Sequence, residues 1–313
     1  MRVFLAGATG AIGSRLLPML TDAGHEVVGS TRDESRAERI RAAGGVPVVM
    51  DGLDRDSVLA AVADAKPDVV VHQLTALAGD PDMKHFDRYF ATTNELRTRG
   101  TDYLLEAARE AGARRFLAQS YVGWNNERTG SPVKDESDPL DPSPTAASVQ
   151  TMEGIRYVER VVPSAPDLEG VVLRYGSLYG PGTGLAVGGA LVELVQKRQL
   201  PVVGGGGGIW SFVHVDDAAA ATLRALEHGA PGVYNVVDDD PAPVHEWLPY
   251  LAEVLGAPRP RSVPAWLAKP LIGEHGVSMM TRIRGAANGK AKRELGWQPR
   301  YPSWREGFVH GLA

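Results

Sequence analysis

The stretch MRVFLAGATGAIG, Met1 to Gly13, decides how the rest of the chain is read. Residues 2–6 form a short apolar run with the β-formers Val3 and Phe4, and residues 12–20 carry apolar side chains at helical spacing. Between them Gly7, Gly10 and Gly13 recur every third residue. A glycine motif is a credible nucleotide site when a strand precedes it and a helix follows. A sharp reversal at Gly7 needs a residue without Cβ. Gly10 lets a pyrophosphate approach the backbone, and Gly13 lets the helix lie close to the strand. Thr9, Ala11 and Ile12 complete the turn, where unpaired N–H groups and the positive end of the helix dipole meet the phosphates. The spacing is GxxGxxG, one residue wider at the front than GxGxxG.

Composition bounds what this turn can belong to. The chain has 313 residues and 43% hydrophobic content, enough for a large core and about two domains. A net charge of -5 and a pI near 5.9 favour neither a nucleic-acid partner nor an anionic membrane surface. Cysteine is absent, which excludes disulfides, thiolate catalysis and cysteine-ligated metals. With a first strand beginning at Arg2 and no apolar run near ~18 residues, neither a signal peptide nor a membrane span is expected. A cytoplasmic location follows as an expectation.

The first half alternates strands and helices. Strands are predicted over 26–31, 46–50, 68–72, 115–119 and 171–174. Helices are predicted over 11–23, with Pro18 inside and Gly24 as the stop, then over 34–43, 55–63 (capped by Asp54), 92–111 and 149–162. Repeated βα units imply an α/β fold with a Rossmann-type, doubly wound parallel sheet, whose ligands lie beyond the carboxyl ends of the strands. Residues 1–174 form the dinucleotide-binding domain in this scheme. Residues 175–313 form a smaller C-terminal substrate lobe, with the chain crossing back between the two. In that second part helices over 185–199 and 244–255 and a strand over 233–237 are expected, while 258–270 is broken by prolines.

The end of the second strand selects the cofactor. An acid there suits the ribose 2′-hydroxyl of NAD, and an Arg suits the 2′-phosphate of NADP. The run is Gly29-Ser30-Thr31-Arg32-Asp33. Ser30 can donate to a phosphate and Arg32 can clamp it, which favours NADP. Asp33, one residue on, keeps NAD as the alternative.

Arg32, Asp51 and the run VVVHQLTALAG (69–79) join QSYVG (119–123), LRYGSLYGPG (173–182), SFVHVDD (211–217) and KRELGWQP (292–299). With these motifs the chain resembles the extended short-chain dehydrogenase/reductase family, which includes NAD(P)-dependent sugar epimerases and dehydratases. The resemblance implies that Asp51 and Leu53 line the adenine. It implies that Leu74 and Thr75 lie along the cofactor, and that Tyr175 and Ser177 approach the nicotinamide. It also implies a possible homodimer through the helices 92–111 and 149–162. From the residues alone, Asp51 is equally a turn acid.

The departure from the family lies in its catalytic pair, a Tyr with a Lys four residues on. None of the nine tyrosines has Lys at that spacing. Counting back from Glu159, the expected positions hold Thr151 and Ile155. The candidate replacements are Ser120, read as ending the fifth strand and hydrogen-bonding a substrate oxygen, and Tyr121, whose phenol would exchange a proton with it. The polar segment 124–148 is a candidate flap. His214 with Asp216 and Asp217 reads as a strand end and helix cap, because no second His stands at ligand spacing, so no metal is expected. The run 204–208, all glycine, lacks the residues of a P-loop and reads as a loop on the substrate side.

Three functions are compatible with these residues. One is an NADP-dependent oxidoreductase acting on a carbonyl/alcohol group of a small-molecule substrate. Another is a redox-neutral epimerase or dehydratase that retains NAD(P). The last is an NADP-binding sensor without turnover.

Overall fold

The computed structural model describes residues 1–77 and 82–313. The last two residues of the 69–79 run lie outside the described residues. Seven parallel strands form the central sheet: β1 (Arg2–Ala6), β2 (Glu26–Thr31), β3 (Val46–Val49), β4 (Val69–His72), β5 (Arg115–Tyr121), β6 (Glu169–Tyr175) and β7 (Gly232–Val236). Their spatial order is β7-β6-β5-β4-β1-β2-β3. The chain winds outward from β1 to β3, returns to β4 on the other side of β1, and winds outward again. The crevice between β1 and β4 is thus the topological switch point, where ligands bind in such sheets.

Side-chain alternation explains why both faces are covered. Phe4, Val70, Phe116 and Val172 point to one face, where they pack with Val58 and Val62 of α3 (Arg55–Ala65) and Leu104 and Ala108 of α4 (Thr101–Glu110). Val3, Leu5, Val71 and Leu117 point to the other, against Leu16, Leu17 and Leu20 of α1 (Gly13–Asp22). Fully burying one such side chain contributes about 1.5–3 kcal/mol. The C-terminal half adds to this same face through Ala218 and Ala221 of α6 (Val215–Ala225) and builds a separate core around Trp247, Phe212, Trp304 and Phe308. Trp297 joins the first core, whereas Trp266 is 76% exposed.

Several expected elements are redrawn. The helix expected over 34–43 splits into a 3₁₀ turn, Glu34–Arg36, and α2 (Ala37–Ala42), because the Asp33 carboxylate accepts from Ser35 N–H and starts the tighter turn. The helix expected over 92–111 is Ala91–Glu95, a π turn Leu96–Gly100, and then α4. β5 runs two residues past the expected 115–119, so Ser120 lies within the strand and Tyr121 ends it. α5 (Val149–Val161) and α7 (Val244–Val254) match expectation to within a residue, and the helix expected over 185–199 is only Ala190–Gln196. The proline-broken stretch gives way to α8 (Ala265–Thr281): Pro264 serves as its N-cap, where no N–H is needed, and Gly273 interrupts it with φ 71° and ψ 179°. The cap of α6 is His214, whose Nδ1 accepts from Asp216 N–H, while the Asp217 carboxylate accepts from the N–H groups of Arg300 and Tyr301. Among the described residues no helix is long and apolar enough to cross a membrane, and no cluster of ligating side chains could hold a metal.

His72, at the end of β4, is buried with both ring nitrogens engaged. Nδ1 accepts from Leu74 N–H at 3.2 Å, so the Nε2 proton faces the Leu96 carbonyl at 3.3 Å. Burial pulls its pKa down to about 4. Between that value and the ordinary 6.5 the unfolded chain binds a proton that the native protein refuses, so this group's contribution is present above pH 6.5 and is lost as pH falls toward 4. We predict that His72→Gln flattens the stability–pH curve in that window. The slope should fall by up to about 1.4 kcal/mol per pH unit relative to wild type, read from denaturant midpoints at pH 7.5, 6 and 5.

Candidate active site

The glycine turn follows directly from β1. Gly7 has φ +91°, and a Cβ there would lie 2.8 Å from the Gln73 carbonyl oxygen. A Cβ on Gly13 would lie 2.1 Å from the Gly7 carbonyl oxygen. Both glycines are demanded by the protein's own packing. Gly10 is different, since its closest contact would be 3.4 Å, ordinary for a side chain. What Gly10 keeps open is a cavity of about 230 Å³ at the start of α1, lined by Ala8, Thr9, Gly10, Ala11, Ser14 and Arg39, among others. Ile12 is buried as the N-cap residue of α1, so only its backbone is available to a ligand.

The Ser30 side chain is buried, and its Oγ accepts from Gly7 N–H at 3.1 Å, so it holds the glycine turn. Arg32 is exposed beyond β2, and Asp33 spends its carboxylate on the Ser35 cap. Arg39, on α2, reaches the same cavity. Sequence analysis missed it because placing it needs the helix to begin at residue 37, after the 3₁₀ turn. Asp51 accepts from Leu53 N–H at 3.0 Å and so acts as a turn acid with its other oxygen free of that bond. Leu74 packs over Gly52, and Thr75 is exposed at the carboxyl end of β4.

At the ends of β5 and β6 the expected residues separate. The Tyr175 hydroxyl is buried between Gln73 Nε2 (2.9 Å) and Thr222 Oγ1 (2.7 Å), and burial pushes it up to about 12. This tyrosine is a core residue, which corrects its expected approach to the nicotinamide. Ser120 donates to Glu159 Oε1 at 2.8 Å, and Arg174 grips the same carboxylate with two nitrogens at 2.7 and 2.5 Å. The Ser120 proton is therefore committed to a buried ion pair. Tyr121 and Ser177 do meet, with hydroxyl oxygens 3.1 Å apart. Burial raises the Tyr121 phenol, with the Ser177 hydroxyl opposing, so the phenol stays protonated at neutral pH.

Thr151 and Ile155 complete the picture. Thr151 Oγ1 donates to Asp87 Oδ1 at 2.7 Å and accepts from Asn94 Nδ2 at 3.0 Å. Ile155 packs with Phe86, Trp124, Met152, Met279 and Ile283, and Tyr121 borders this apolar cluster. Neither residue supplies a base. Behind them Arg97 is buried 5.8 Å over the Phe90 ring, and burial lowers its pKa to about 10.

With this geometry in place, comparison with known proteins assigns the family. Residues 3–236 match the model of the NAD dependent epimerase/dehydratase family, and the chain belongs to that family. It is 48% identical over 312 residues to a 3-diazoavenalumate denitrifying reductase from a Streptomyces species, covering 98% of this chain and 99% of the relative. It is 30% identical over 314 residues to a UDP-glucose 4-epimerase of Mycolicibacterium smegmatis, covering 96% and 94%. Among solved structures, the UDP-glucose 4-epimerase of Thermus thermophilus in complex with NAD superimposes with a TM-score of 0.75 at 24% identity, over 100% of this chain and 98% of that one. Its likeness is one of fold.

The contrast between the glycines gives a prediction. Gly10→Ala is expected to change stability by less than about 1 kcal/mol, within the ordinary cost of a tolerated substitution, yet to weaken dinucleotide binding at least tenfold. Gly13→Ala should lower stability by several kcal/mol or prevent folding. Thermal unfolding and dinucleotide titration of the two variants check both halves.

Proposed function

We propose that the chain is an NADPH-dependent reductase of a small organic molecule, working without a tyrosine–lysine proton relay. The observation that carries this is the pair Thr151 and Ile155. One is held by Asp87 and Asn94, and the other lies among aromatic and thioether side chains. A redox-neutral epimerase must first take a proton from a substrate hydroxyl, and nothing at these positions accepts one. The 48% identical relative, named a reductase, supports the same direction.

When bound, NADPH supplies a hydride from its nicotinamide ring. Thr9, Ala11 and Gly13 would hold the pyrophosphate by backbone N–H groups, while Gly10, whose N–H is bonded to the Gly7 carbonyl at 3.1 Å, would leave it room. Asp51 and Leu53 flank the adenine, and Leu74 and Thr75 border the cofactor's path. Arg32 and Arg39 clamp the 2′-phosphate, a role supported by Asp33 being engaged as a cap. Ser177 and Tyr121 face the reacting end. Ser120 acts as a positioning residue through Glu159.

Two acceptors are compatible. An arenediazonium carbon needs only the hydride, because the cation gains H⁻ at carbon as its C–N bond breaks and dinitrogen leaves, and the relative's name describes such a loss of nitrogen. A carbonyl needs a proton as well, which the neutral Tyr121 phenol would donate. The raised phenol makes it a weak acid, which favours the first acceptor.

NADPH should bind at least tenfold more tightly than NADH, about 1.4 kcal/mol, and Arg32→Ala with Arg39→Ala should abolish that preference. Equal affinities in the wild type would remove the NADP assignment. Tyr121→Phe should leave NADPH oxidation by an arenediazonium salt unchanged and slow that by an aromatic aldehyde at least about tenfold. Equal loss on both acceptors would contradict the relay-free mechanism.

A further inference from the structure

The packed apolar cluster beside Tyr121 holds a polar atom that no described residue satisfies. His275, on α8 two residues past the Gly273 interruption, is 2% exposed. Its ring lies 4.1 Å from Phe86 and 5.1 Å from Trp124, centroid to centroid. Nδ1 is 3.1 Å from Thr145 Oγ1, while Nε2 is buried with no hydrogen-bond partner. Burial lowers the pKa of this imidazole to about 4, so the ring is neutral near pH 7. A neutral ring bonded at Nδ1 leaves Nε2 as either a donor or an acceptor, according to tautomer. Buried polar atoms in proteins are satisfied as a rule, and one that is not asks for its missing partner.

The walls indicate what that partner is attached to. Phe86 and Trp124 meet edge-on, Tyr121 stacks near Trp124, and Met83, Met152 and Met279 fill the remaining space. These are three of the chain's seven methionines, and thioether side chains repack readily around flat ligands. Two of the cations nearby are already paired, Arg128 with its Nε 2.8 Å from Asp141 and Arg174 held by Glu159. The lining itself is aromatic and thioether, and a flat conjugated ring would find edges and faces to stack on.

We infer that this packed cluster opens to receive a planar aromatic or conjugated substrate, and that His275 determines specificity by hydrogen-bonding a hydroxyl of that substrate through Nε2. A hydroxyl is the group that serves either tautomer, since it both donates and accepts. The methionine walls yield as the ring enters, uncovering Nε2. This rests on the reductase assignment and supplies its substrate class.

The test uses the full chain with NADP⁺ and two planar acids that differ by one ring hydroxyl, 4-hydroxycinnamate and cinnamate, with UDP-glucose as a third ligand. Calorimetry should give at least a fivefold preference for 4-hydroxycinnamate over cinnamate and weaker binding of UDP-glucose than of either. In His275→Phe the hydroxyl preference should vanish while cinnamate still binds. A second measurement is independent of that variant's folding. In ¹⁵N-histidine-labelled wild type, saturating 4-hydroxycinnamate should shift the His275 Nε2 resonance by several ppm and cinnamate should not. The proposal is overturned if the two acids bind equally or not at all, if UDP-glucose binds best, if the preference survives His275→Phe, or if Nε2 does not respond. NADPH binding is titrated in the same samples, so failure here with intact NADPH binding discards the substrate class alone, and loss of NADPH binding discards the reductase assignment.

Discussion

One contact governs the molecule: the Gly13 backbone against the Gly7 carbonyl, too close to admit a side chain. That approach seats α1 on the sheet, so that Leu16, Leu17 and Leu20 meet Val3 and Leu5. It also aims the start of α1 at the crevice between β1 and β4. Ser30 holds the turn from the neighbouring strand through Gly7 N–H and, by its carbonyl, through Ala8 N–H. The core and the ligand cleft are consequences of the same few atoms. A change that loosens the turn costs packing and binding together, whereas Gly10 separates the two because only a ligand has a claim on its space.

The site beyond the turn is organised by substitution of apolar for ionisable groups. Where a lysine would be expected, Ile155 contributes to the packing of Phe86, Trp124 and Met279. Where a tyrosine would be expected, Thr151 is tied to Asp87, which also accepts from Gln150 N–H and so caps the start of α5. Polar chemistry is pushed to two places. One is the Tyr121–Ser177 pair at the strand ends. The other is the buried Glu159–Arg174 ion pair that holds Ser120, where breaking one partner would cost about 3–5 kcal/mol. At the two positions where the family's tyrosine and lysine are expected, no side chain is left to exchange a proton.

Much of this was legible in the sequence, and the limits are physical. The strands of the sheet and the glycine turn could be read because period-two burial and positive-φ glycine leave local signals. The family could be read from QSYVG and LRYGSLYGPG. Tyr175 was misplaced, and the hold of Ser30 on Gly7 was not legible, because a strand's last residues face either the cleft or the core, and the side is set by neighbours distant in sequence, Thr222 for one and Gly7 for the other. The extra length of β5 decided where Ser120 and Tyr121 point, and strand ends carry weak local signals. Arg39 and His275 were missed for a similar reason. Their positions depend on a 3₁₀ start to one helix and on a helix that tolerates Pro270 and breaks only at Gly273.

In the proposed reductase, hydride reaches an arenediazonium acceptor with no protein group exchanging a proton in the same step. Single-turnover stopped-flow oxidation of enzyme-bound NADPH by an arenediazonium salt, from pH 6 to pH 9 in H₂O and D₂O, tests it most directly. A rate that is flat with pH, with a solvent isotope effect near unity and a primary effect from C4-deuterated NADPH, is the predicted result. A rate that titrates within that range, or a solvent isotope effect above about 2, would reveal a catalytic proton donor and contradict the account.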